Sequence, residues 1–133
     1  MKKIVDYLNK NRVGQFGTIK DDQVNMRPFH FLFEKEGKFI FATANNKEVY
    51  KELKANPTAS FAVLGQDGKW LRIRGNVTFS DSMELRKEIF EKEPLVGKVY
   101  KSPDNPIFEV FCIYNGVASL HGGTGSIIEE VTF

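Results

Sequence analysis

Between Arg27 and Lys47 the chain reads RPFHFLFEKEGKFIFATANNK, and this stretch limits the folds open to it more than any other. Phe29, Phe31 and Phe33 share one parity and Phe39, Phe41 and Thr43 share another, while Glu34 to Lys38, with Gly37, separates the two runs. A period of two broken by a glycine-containing turn is the pattern of paired antiparallel strands, because successive strand side chains point to opposite faces. The second run continues through Thr43, Ala44, Asn45 and Asn46 into Lys47–Ala55, where Val49 and Leu53 lie on one face of a short helix. The order is strand, polar turn, helix. A helix start carries unpaired N–H groups and a partial positive charge, so it suits an anion. Asn45 or Asn46 is a candidate cap, and Asn45 with Glu48 has the spacing of a capping box. Lys47 then sits at the unfavourable end of the macrodipole, a placement that costs roughly 0.3 to 1 kcal/mol unless an anion is bound there. It either points to solvent or serves such an anion.

The rest of the chain extends this pattern. Ile4, Val5 and Leu8, among Lys2, Lys3, Asp6 and Lys10, predict an amphipathic opening helix ending near Asn11. Val13 to Lys20 reads as a strand, and Asp21-Asp22 turns into Val24 to Glu34, giving a three-strand meander through Thr43. Pro57 stops the Lys47 helix, since a residue before proline is pushed out of the helical region. Thr58 to Leu64 and Lys69 to Phe79 are strands joined by Gln66-Asp67-Gly68. On the second, Leu71, Ile73, Val77 and Phe79 face one way and Trp70, Arg72, Arg74, Asn76 and Thr78 the other. Asp81 and Glu84 have capping-box spacing at a helix carrying Leu85 and Ile89. Pro94, Pro103 and Pro106 mark a loop-rich passage with a helical turn at Val96 to Tyr100. Ile107 to Tyr114 and Val117 to His121 flank Asn115-Gly116, a strong hairpin signal. Ile127 to Phe133 either pairs as an edge strand or stays loose. The sum is a mainly β fold with peripheral helices, an antiparallel barrel of about six or seven strands and two principal helices, closure leaving few exposed edges.

Length and composition bound the function. The 133 residues make one domain with a single real core, and 12 phenylalanines favour β structure. A net charge of +2 is too small to argue for nucleic acid, and the single Cys112 rules out an internal disulfide and a multi-cysteine metal site. His30 and His121 are far apart and form no metal-binding spacing. With no apolar leader and no run long enough for a membrane span, the expectation is a cytoplasmic protein without a membrane partner. There is no Ser–His–Asp arrangement, GxxxxGK loop or GxGxxG fingerprint.

Taken in order, RPF in one strand, FAT and ANNK from the next strand into a helix, ANP before another strand and WLRIRG after a hairpin resemble the FMN-binding split β-barrel superfamily that includes pyridoxamine 5′-phosphate oxidase. The likeness covers nearly the whole chain and is nearest to the small nitroimidazole-resistance reductases. It implies one FMN-binding domain over residues 1–133 and a homodimer with two FMN molecules at the subunit interface. By position it puts Arg27 on the phosphate or ribityl chain, Pro28, Phe29 and His30 beside the isoalloxazine ring, Thr43 and Asn46 at the phosphate, and Lys47 as its counter-charge. Trp70, on a face with Arg72 and Arg74, would meet the partner subunit and border its flavin. His30 is either a hydrogen-bonded wall residue or a proton donor. Two departures from the oxidases stand out. Their Ser-Arg-Lys cluster is replaced by Asn45-Asn46-Lys47, and their terminal Arg and His are replaced by Ile-Ile-Glu-Glu-Val-Thr-Phe, which argues against pyridoxamine phosphate as substrate. The implied function is an FMN-dependent reductase or oxidase of a small planar acceptor, with NAD(P)H or another electron donor. The alternatives are a non-catalytic FMN-binding or sensing protein and, more remotely, a barrel that binds single-stranded nucleic acid through Trp70, Arg72 and Arg74.

Overall fold

The computed structural model describes residues 1–133. In chain order the elements are α1 (Lys2–Lys10), β1 (Val13–Lys20), β2 (Gln23–His30), β3 (Phe33–Lys35), β4 (Lys38–Ala44), α2 (Glu48–Ala55), β5 (Thr58–Leu64), β6 (Trp70–Ser80), α3 (Met83–Lys92), α4 (Pro94–Tyr100), β7 (Phe108–His121) and β8 (Ile127–Thr132). All the strands pair antiparallel in one curled sheet of order β2-β1-β5-β6-β7-β4-β3, with β8 added to β7. There are thus eight strands and four helices, against the six or seven and two expected. The terminal segment pairs as β8, and the proline-rich passage contains α4, with Pro94 in its first turn, where the missing N–H is no loss.

The interior is built from phenylalanine. Phe16, Phe31, Phe39, Phe41, Phe61 and Phe111 are fully buried, and Phe41 stacks on Phe111 with ring centroids 5.6 Å apart. Burying each such ring is worth about 1.5 to 3 kcal/mol, so the alternation that places them inward is the main sequence determinant of the barrel. A smaller core of Leu32, Phe33, Ile40, Ile89, Phe108, Val110 and Cys112 lies outside the barrel, where Leu85, Phe90, Val96 and Tyr100 of the α3–α4 excursion cover it.

Two expected connections are replaced. The meander through Thr43 does not form: β2 pairs with β1 along its length, whereas only the short β3 pairs with β4. The break comes at Phe31 and Leu32. Phe31, Leu32 and Phe33 are all buried, which no single alternating strand permits, and an Nη1 donor of Arg12 binds the carbonyls of Phe31 and Leu32. Asn115-Gly116 is likewise no hairpin turn but an irregularity within the long β7, which pairs with β6 on both sides of it. Residues up to Ile113 pair with β4 and those from Val117 with β8, so one strand serves two neighbours on the same side. Asn115 takes φ 48°, and a Cβ on Gly116 would lie 1.9 Å from the Arg74 carbonyl oxygen. The turn residues here serve a close backbone approach.

Candidate functional site

A cleft of about 310 Å³ lies between the barrel and α4. One wall is strand, with Pro28, Phe29 and His30 from β2 and Ala42 and Thr43 from β4, and Leu32 also contributes. Lys47 lines it at the start of α2. The facing wall is Glu93 with Leu95, Val96, Val99 and Tyr100 of α4. β2 is an edge strand, which tolerates Pro28, and its period of two turns Pro28 and His30 outward while Arg27 and Phe29 face the barrel.

Where β4 meets α2, the side chains of Thr43 and Lys47 are left without partners within the chain. Thr43 is 2 % exposed, and its hydroxyl has no hydrogen-bond partner, a state that costs roughly 1 to 3 kcal/mol. The expected Asn45 capping box is not formed. The Asn45 amide instead donates to the Pro106 carbonyl at 2.8 Å and to Glu109 Oε2 at 2.9 Å, while Lys47 occupies the N-cap position of α2 and makes no side-chain cap. Lys47 is exposed and unpaired, since the neighbouring Glu48 carboxylate turns to Lys20 and Lys51. At α3, similarly, the cap is Ser82, accepting from the Leu85 N–H at 3.2 Å, rather than Asp81 with Glu84.

Arg27 is held elsewhere. Its Nη2 lies 2.9 Å from Glu52 Oε1, and its Nη1 donates to the Phe16 carbonyl at 3.0 Å. Glu52, 5 % exposed on α2, also accepts from the Thr18 hydroxyl and from the Asn25 amide, the latter at 2.9 Å. The Thr18 hydroxyl, reinforced by Asn25 and the Arg27 charge, holds the Glu52 carboxyl below its ordinary pKa against the opposing effect of burial. This network locks α2 to β1 and β2. A second one fastens the facing wall: Glu93, which joins α3 to α4, accepts from Arg12 Nη1 at 2.9 Å. Burial raises the pKa of Tyr100, whose ring packs on Phe108 at 4.8 Å.

Of the residues expected at a site, the cleft brings together Pro28, Phe29, His30, Thr43 and Lys47. Arg27, Asn46 and Trp70 are not in its lining. Asn46 is exposed in the turn before α2. Trp70 stacks on His121 with centroids 3.9 Å apart, Arg72 lies 5.6 Å from its ring, and His121 Nε2 is 2.8 Å from the Ser119 hydroxyl. The sequence predicts a helical turn at Val96 to Tyr100 but gives neither it nor Glu93 a role in a site; Leu95 and Val99, four apart, are the available signal. No helix is long and apolar enough to cross a membrane.

The class the fold defines is an antiparallel β-barrel with a cleft of about 310 Å³ beside a helix start that has no side-chain cap. Residues 1–114 match the sequence profile of the family described as Pyridoxamine 5'-phosphate oxidase, and the chain belongs to that family. Its structure is similar to that of a NimC/NimA family protein from Clostridium acetobutylicum, with 28% identity, a TM-score of 0.90, and coverage of 100% of this chain and 92% of that one. General Stress Protein 26 from Bacillus anthracis shares the fold at 14% identity and a TM-score of 0.78, covering 99% and 98% of the two chains. So does an FAD-binding protein from Mesorhizobium loti, at 18% identity and a TM-score of 0.62, covering 88% and 91%. No curated protein matches the chain.

Proposed function

We propose that the cleft binds FMN and that the protein is a flavin-dependent reductase of a small planar acceptor. The observation that carries this reading is the unpartnered Thr43 hydroxyl, buried beside an uncapped helix start and an unpaired lysine. A phosphate dianion would accept from that hydroxyl and from the α2 N–H groups, and it would turn Lys47 from a cost into a gain. Pro28, Phe29 and His30 would hold the ring side of the ligand. Asn46 lies next to the seat in sequence, and Arg27, through Glu52, would fix α2 against β2 and so keep the phosphate end in register with the ring wall. Membership of the family and the fold shared with an FAD-binding protein support a flavin. Bound there, FMN would supply electron transfer from NAD(P)H or another donor to the acceptor, while the chain supplies position and exclusion of water.

A homodimer completes this reading. Met26, Pro28 and His30 share the outward face of β2, and Val13, Val24, Met26 and Leu64 are 63%, 70%, 58% and 74% exposed on the outer side of the sheet. An apolar surface of that kind marks an interaction site, and a second copy seated on it would close the open edge of the cleft and bring Trp70 near the partner's ligand. The test is the visible spectrum of the purified protein, with the released cofactor identified by mass and an FMN titration of the stripped protein. Flavin bands and stoichiometric uptake are expected; a Soret band, or no uptake, overturns the proposal. Reoxidation of the reduced protein by quinones and nitroaromatics no faster than that of free FMN would leave a flavin-binding or sensing protein instead.

A further inference from the structure

We infer that α4 makes the cleft selective for a neutral, apolar, planar acceptor, with Leu95 and Val99 as the specificity-determining residues; this rests on the FMN reading above. On α4, Val96 and Tyr100 pack against the smaller core, but Leu95 and Val99 do not. They lie one helical turn apart, 62% and 67% exposed, and both line the cleft opposite the strand wall assigned to the flavin. No residue of α4 is buried, so the packing of this chain alone gives no reason for two branched aliphatic side chains there. A flat apolar molecule between the two walls covers them.

Charge points the same way. The charged groups lining the cleft are Lys47 and Glu93. Lys47 is offset by the phosphate it would hold, and Glu93 is already neutralised by Arg12. A phosphate dianion therefore leaves the lining of the loaded cleft net negative, with no free cation among the lining residues to receive an anionic acceptor; the exposed Lys98 of α4 is outside that lining. A quinone reduced there gains two electrons and two protons to become the hydroquinone; NAD(P)H supplies a hydride and leaves as NAD(P)⁺, and solvent supplies the second proton.

The test compares 1,4-naphthoquinone with its 2-sulfonate, measuring dissociation constants on the oxidised FMN-loaded protein from the perturbation of the flavin absorption band. The neutral quinone is expected to bind more than fivefold tighter. The double variant L95K/V99K, at two exposed positions and therefore with an unchanged melting temperature, is expected to lower that ratio at least fivefold. A ratio below fivefold in the parent protein, or a smaller change in the variant, overturns the inference. An FMN titration distinguishes the two failures: normal uptake with no discrimination sinks only the selectivity, whereas absent uptake sinks the proposed function and the selectivity with it.

Discussion

Replacing Glu52 isolates the network that fixes α2 against the strands. Three donors converge on its carboxylate, from Thr18, Asn25 and Arg27, and the side chain is 5 % exposed. Glu52→Ala removes the shared acceptor and leaves the Arg27 guanidinium, itself 23% exposed, without its counter-charge. Breaking a buried ion pair from one side costs about 3 to 5 kcal/mol, and the partial access of water to Arg27 places this case near the lower end, about 3 kcal/mol. For a chain of this length each kcal/mol lowers Tm by about 3 to 5 °C, so the variant should melt roughly 10 °C below the parent. Glu52→Gln keeps the shape and, with the Asn25 amide turned over, most of the hydrogen bonds, so it should lose about half as much. The pH dependence gives the sharper check. The folded-state pKa of Glu52 is lowered, so its contribution is fully present above the ordinary carboxylate value and is lost as pH falls through the folded value. The stability gap between parent and Glu52→Ala, measured by urea denaturation, should therefore be widest near neutrality and narrow in acid. A loss below about 1 kcal/mol at pH 7, or a gap that does not change with pH, would refute this account of the network.

Lys47→Ala should weaken FMN binding by about 1 to 3 kcal/mol, read by fluorescence titration, while leaving the melting temperature of the flavin-free protein unchanged or slightly raised. Thr43→Val should separate the two states: the flavin-free protein gains about 1 kcal/mol by losing an unsatisfied buried hydroxyl, and FMN affinity drops tenfold or more. If melting temperature and affinity move together, that hydroxyl is not the phosphate contact. Gly116→Ala forces a Cβ to 1.9 Å from the Arg74 carbonyl oxygen and 2.7 Å from the Gly75 Cα, backbone atoms that cannot swing aside. It should cost about 3 kcal/mol or more by thermal melt, and a neutral substitution would mean that β6 and β7 do not approach so closely.

Particular residues show how far the chain could be read in advance. The opposite faces of Arg27 and His30 follow from the strand period alone, and Thr43 and Lys47 are close enough in sequence that a strand running into a helix must bring them together. Asn45 has the spacing of a capping box, but the competition for its amide is won by Pro106 and Glu109, 61 and 64 residues away. Arg27 found its carboxylate 25 residues on, at a helix position whose neighbours read as ordinary solvated charges. Asn115-Gly116 carries a turn's conformational preference but is used to let two long strands touch, a role visible only when Gly75 is seen opposite it.

What the sequence decides by itself is local: where side chains alternate, where a helix begins, and which rings must leave water. Tertiary structure decides which partner each polar group takes and which distant helix closes the cleft. Hydrogen bonds and ion pairs at separations of 25 to 81 residues are chosen only once the barrel has brought the competing groups within 3 Å of one another, and no short-range pattern encodes the outcome of that competition.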